Sequence, residues 1–118
     1  MMTLPAESVL LRVFCGEDDR HGHMPLYEAI MLKAREAGLA GATMLRGSTG
    51  FGHSSRLHTT KILRLSQDLP IVIEMVDARE KIEAFLPTLD GMMGSALVTM
   101  EKVQVLQYGT TKANKSPV

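Results

Sequence analysis

The stretch PIVIEMVDAREKIEAFLPTL, residues 70–89, changes its period midway. Residues 70–77 are apolar and β-branched with one internal charge, which predicts a mostly buried strand. Pro70 is tolerable there, because the first residue of a strand need not donate to the ladder. Beyond Asp77 the spacing becomes helical. Ile82, Phe85, Leu86 and Leu89 stand at i, i+3, i+4 and i+7, which predicts an amphipathic helix over 78–89. Asp77 and Glu80 form a D-x-x-E pattern that suits a capping box. Pro87 should kink or end this helix, since it removes the hydrogen bond to the carbonyl of Glu83.

A similar unit stands upstream. ESVLLRVFC (7–15) reads as a strand, GEDDRHGHM (16–24) as a polar loop, and Pro25 as the first turn of a helix. Tyr27, Ile30, Ala34 and Ala37 make its apolar stripe, and Gly38 is a natural stop. GATMLRG (41–47) follows as a second strand. Residues 47–57 hold three Gly and three Ser in eleven positions, which predicts a mobile loop. TTKILRL (59–65) fits either another strand or an arm of that loop. GMMGS (91–95) predicts a tight turn and ALVTMEKVQVLQY (96–108) a long last strand.

The order β-α-β-(loop)-β-α-β defines an α+β chain. Its expected form is a ferredoxin-like βαββαβ sandwich, an antiparallel sheet with two helices on one face. Residues 1–109 are expected to be a single domain and 110–118 a disordered polar tail. A half-exposed sheet should alternate cleanly, yet these strands are apolar at both parities, as in Leu10, Leu11, Val13 and Phe14. The second face is therefore expected to pack against other copies of the chain.

Composition narrows the function. The chain has 118 residues, with 13 Lys+Arg against 13 Asp+Glu. That balance excludes a generally basic nucleic-acid surface. No apolar run approaches the roughly 20 residues of a membrane span, so no membrane insertion is expected. The start MMTLPAESV lacks a basic stretch followed by an apolar one, and the single Cys permits no internal disulfide. Both features suit a reducing cytoplasm.

No nucleophile elbow, CxxC, P-loop or HExxH is present, so an enzyme is not expected. Cys15, at the end of an apolar strand, reads as a small core residue. His21 and His23 form H-x-H, with His53 and His58 in the later loop. Imidazole binds Zn²⁺ or Cu²⁺ well, so these four are the candidate metal ligands, though no Cys or compact Asp/Glu spacing completes a site and plain surface histidines are the stronger reading. The other constellation is Arg46, Gly47, Gly50, Phe51, Gly52 and Arg56. Glycines let backbone N–H groups approach an anion, guanidinium groups clamp phosphate oxygens, and Phe51 can stack on a base. The same composition also fits a plain connector.

PLYEAI (25–30), AREAGLAGATMLRG (34–47), GFG (50–52), LPIVIEMVD (69–77), EKIEAFLP (80–87) and VTMEKVQVLQYG (98–109) together resemble the DUF190 family of small bacterial and archaeal proteins. That family is similar in fold to the PII signal-transduction proteins and the CutA-type metal-tolerance proteins. The resemblance implies a homotrimer whose sheets face the three-fold axis. It implies no required cofactor. It further implies an adenine nucleotide as ligand in the cleft between subunits, near the loop 47–60 and a second loop holding Gly91 and Gly94. An as yet unidentified target protein would read the loop 47–60. Where PII proteins carry basic residues, this chain has Met92, Met93, Val105, Gln107 and Tyr108. Each lost charge-assisted contact is worth about 1.5–3 kcal/mol. That counts against PII-like binding of ATP and leaves open a monophosphate or cyclic nucleotide, no nucleotide at all, a metal-responsive protein or a ligand-free scaffold.

Overall fold

The structure is a computed structural model and describes residues 4–47, 69–94 and 96–112. The elements are β1 (Glu7–Gly16), β2 (Arg20–His21), β3 (Met24–Pro25), α1 (Leu26–Glu36), β4 (Ala42–Arg46), β5 (Pro70–Asp77), α2 (Arg79–Met92), β6 (Leu97–Gln104), β7 (Gln107–Tyr108) and β8 (Thr111–Lys112). β4, β5, β1 and β6 form one antiparallel sheet in the order β4-β5-β1-β6. This is the ferredoxin-like arrangement expected from the order of elements.

Alternation along the central strands sorts side chains by face. Val9, Leu11 and Val13 of β1 and Ile71, Ile73 and Met75 of β5 are almost fully buried. They pack with Leu26, Ile30 and Ala34 of α1 and Ile82, Phe85 and Leu89 of α2 in one core. Both helices therefore cover the same face. Cys15 packs at the margin of this core.

Several boundaries differ from the sequence expectation. The loop 16–24 contains the small hairpin β2–β3, turning at Gly22 with φ +62°. The buried stripe of α1 is Leu26, Ala29, Ile30 and Ala34, while Ala37 is exposed. Gly38 does end α1, with φ +77°. Its N–H reaches the Arg35 carbonyl and the Leu39 N–H reaches that of Ala34, the paired bonds of a Schellman motif.

Asp77 forms no capping box. The N-cap residue of α2 is Ala78, with no side-chain cap. Buried Asp77 instead accepts from the Ala78 N–H at 2.7 Å and the Ala40 N–H at 2.8 Å. Pro87 does not end α2 either. It lies on the exposed side, where water can satisfy the Glu83 carbonyl it leaves free, and the helix runs on to Met92. Gly91 thus belongs to the last helical turn rather than to a loop.

The long last strand stops at Gln104. Residues 107–112 turn back as the hairpin β7–β8, through Gly109 at φ +62°. Thr111 and Lys112, in the stretch expected to be a disordered tail, are paired there. The segment TTKILRL and residues 113–118 lie outside the described residues.

Candidate functional site

Register gathers four segments at one end of the sheet. Gly16 pairs with Pro70, Arg46 with Ile71, and Phe14 with Leu97. The end of β1, the end of β4, the start of β5 and the bend before β6 therefore lie together. The Glu17 N–H reaches the Leu69 carbonyl at 2.7 Å and the Gly47 N–H that of Pro70 at 2.8 Å, which closes this edge.

Arg46 and Gly47 are placed here as expected. Arg46 is the last residue of β4, and its guanidinium pairs with Glu17 at 2.8 Å. That partner, 29 positions upstream in a loop read only as polar, carried no sequence signal. Gly47 is required by packing within one copy, since a Cβ on it would lie 2.9 Å from Pro70 Cγ. Gly91 and Gly94 are different. Neither has positive φ, and an added Cβ would meet nothing within 4 Å. Gly50, Phe51, Gly52 and Arg56 lie outside the described residues.

The two sets of glycines stand at opposite edges of the sheet. β4 and β6 are three strand spacings apart, about 14 Å. The structure thus brings Arg46 and Gly47 together but not with Gly94 inside one copy. Two cavities, of about 380 and 750 Å³, open at the other end of the sheet. Neither is lined by Arg46, Gly47, Gly91 or Gly94.

His21 and His23 are exposed at the tip of the β2–β3 hairpin. No group of three or more His, Cys, Asp or Glu suited to a metal occurs among the described residues. His53 and His58 lie outside those residues. Among the described residues, no helix is long and apolar enough to cross a membrane.

The sheet face turned away from the helices carries its own cluster. Arg12 Nε donates to Glu74 and Nη1 to Glu101, each at 2.8 Å. The Glu74 hydrogen bond, with both carboxylates nearby, raises the Arg12 guanidinium above its ordinary pKa despite partial desolvation. Leu10, Phe14, Val72 and Val76 surround the cluster half-buried, and Leu45 and Leu97 are exposed. Each strand showed this in sequence as a charge inside an apolar run, but only register reveals that the charges meet.

This sheet order and helix placement make a ferredoxin-like α+β fold, the fold that PII-like proteins share. Solved structures bear that out. A candidate PII-like signalling protein from Thermus thermophilus superposes with a TM-score of 0.62 at 16% identity, over 87% of this chain and 93% of that one. A nitrogen regulatory PII-like protein from Thiomonas intermedia, bound to ADP, AMP and acetate, gives 0.56 at 19% identity, over 96% and 100%. The family itself is shown by sequence: the DUF190 model, described as "Uncharacterized ACR", matches residues 8–105. A UPF0166 protein of Aquifex aeolicus is 37% identical over 97 residues, 82% of this chain and 91% of that protein. The chain belongs to the DUF190 family.

Proposed function

We propose that this protein is a PII-like regulatory protein that works as a homotrimer. Copies pack through the open sheet face. A small ligand, an adenine nucleotide being the class to test first, enters the cleft between two copies. The loop 47–60 then changes its order and engages or releases a target protein. Such a shift requires different ligand affinities for the two loop states.

The observation that carries this reading is the placement of Arg46–Gly47 and Gly94 at the same end but on opposite edges of the sheet. Within one copy about 14 Å of sheet separates them, whereas two copies meeting edge to edge would put both beside one ligand. The nucleotides held by the Thiomonas protein of the same fold support the choice of ligand class. Gly91 and Gly94, with open space where a Cβ would stand, leave room for a ligand or a neighbour. In this cleft Arg46 would hold phosphate oxygens, with Gly50, Phe51, Gly52 and Arg56 completing the loop side.

A phosphate arriving at Arg46 competes with Glu17 for the guanidinium. The test is a titration of the purified oligomer with AMP, ADP, ATP and cyclic AMP, followed by thermal shift and calorimetry. Ligand at about 100 times its dissociation constant stabilises by roughly 2.7 kcal/mol per site. Arg46→Ala should weaken the ligand without unfolding the oligomer. Glu17→Gln should tighten it severalfold, since exposed pairs are worth about 0–1 kcal/mol. No shift with any nucleotide would remove the ligand class, and unchanged affinity in both variants would remove Arg46 from the site.

A further inference from the structure

The open sheet face holds one cation and two anions. Among the described residues its charged side chains are Arg12 on β1, Glu74 on β5 and Glu101 on β6, while β4 supplies only Thr43 and Leu45. Both carboxylates lean on the same guanidinium, so the cluster carries a net charge of −1. Glu74 is the better enclosed partner, with 31% of its side chain exposed against 55% for Glu101. Glu101 is therefore the surplus carboxylate.

The ring around the cluster is mostly apolar, with Leu45 and Leu97 more than half exposed and only the hydroxyls of Thr43 beside Glu74 and Thr99 beside Arg12 interrupting it among the described residues. A second copy of this chain presents the same ring and is the occupant that matches it. The whole chain has zero net charge, so copies are not held apart by overall repulsion. The local charge is the obstacle. Each copy would bring one uncompensated carboxylate to a face that loses its water, and a carboxylate so placed takes up a proton rather than stay ionised.

We infer that the Arg12–Glu74–Glu101 cluster takes up a proton when copies cover this face, so that self-association tightens as the pH falls. This rests on the self-association proposed above and adds its pH dependence. The sign follows from linkage. A free glutamate titrates near 4.3, and in the assembly the surplus carboxyl titrates higher. The assembled state binds more protons between those two values. Association is strongest below about 4.3 and weakens as the pH rises through the upper value. With one proton per copy in a three-copy assembly, the midpoint concentration changes by up to about 30-fold per pH unit in that window.

The experiment has two readouts on the full chain. Light scattering and urea-induced dissociation from pH 5 to 8 follow the assembly, for the wild type and for Glu101→Gln. Carbon-detected NMR follows the carboxyl groups of Glu74 and Glu101 in the assembled protein. Glu101→Gln keeps the shape and removes the surplus charge. It should raise the dissociation midpoint at pH 7.5 and flatten the pH dependence, while one wild-type carboxyl titrates above the ordinary glutamate range. An assembly whose midpoint ignores both pH and Glu101→Gln, with both carboxyls titrating normally, overturns the proton uptake but leaves self-association standing. A single copy at every pH overturns both and leaves the face to a different partner.

Discussion

The two faces of the sheet are built from the same strands, yet they obey different rules. On the helix side, β1 and β5 offer Val9, Leu11, Val13, Ile71, Ile73 and Met75, all within 2% of complete burial. On the other side they offer Leu10, Phe14, Val72 and Val76 around Arg12 and Glu74. Hydrophobicity barely alternates along these strands, yet the charges in their middle, Arg12 and Glu74, both fall on the open side. The middle of the face covered from within the chain is apolar, like its partners in α1 and α2, and Asp77, buried on that side at the end of β5, has its carboxylate held by two backbone N–H groups. The open face keeps an ion cluster, because a charge there stays hydrated until something covers it.

The sharpest way to break this contrast is a pair of neighbouring substitutions. Ile73→Ala on the helix side should cost about 2–5 kcal/mol, read as a lower urea midpoint. Val72→Asp on the open side should leave the single copy folded but abolish assembly in light scattering. If Val72→Asp keeps the assembly of the wild type, the open face is not the contact between copies. If Ile73→Ala costs less than about 1 kcal/mol, the helix side is less tightly packed than its burial indicates.

The next effect lies at the far end of the sheet, where the chain is clamped. Lys81 donates to the Gly38 carbonyl at 2.5 Å, Tyr108 to that of Ala40 at 2.6 Å, and Asp77 receives the Ala40 N–H. Asp77→Ala removes the acceptor of two backbone N–H groups at once. A loss of about 1–3 kcal/mol is expected in urea unfolding. A loss below about 0.5 kcal/mol would mean that water replaces the carboxylate, and that the clamp rests on Lys81 and Tyr108.

These contacts mark the limit of what a sequence shows. The four strands of the main sheet, both helices and their order were legible because apolar spacing carries them, whereas the short hairpins β2–β3 and β7–β8 were not. The two-sided apolar strands were legible for the same reason. The capping box at Asp77 was a local pattern defeated by a distant one, since Ala40 arrives from 37 positions away and takes the carboxylate. Of the kink or stop expected at Pro87, the stop does not occur, because the proline falls on the wet side of α2, where a missing hydrogen bond costs little. In α1 the stripe was read one phase off, because small residues such as Ala29 and Ala37 do not announce which of them is buried. Of the candidate site, Arg46 and Gly47 were legible as a basic residue beside a Gly-rich stretch. Their geometry was not, because Glu17 and Pro70 come from elsewhere in the chain.

The smallest expected effect separates two kinds of glycine. Gly47 has a reason inside its own copy, the close approach of Pro70. Gly91 has none: its backbone is ordinary, it sits in the last turn of α2, and a Cβ there meets nothing within 4 Å. Alanine in a helix is favoured over glycine by up to about 1 kcal/mol. Gly91→Ala should therefore leave the protein as stable or more so, with the thermal midpoint unchanged or a few degrees higher. Measured alone, that result says only that the glycine is not needed for folding. Measured beside a nucleotide titration, it discriminates. A more stable Gly91→Ala variant that binds more weakly would mean that something outside the copy approaches this turn closely, as a ligand between two edges must. Unchanged affinity would remove Gly91 from the cleft and leave Gly94 as its only glycine on the β6 side among the described residues.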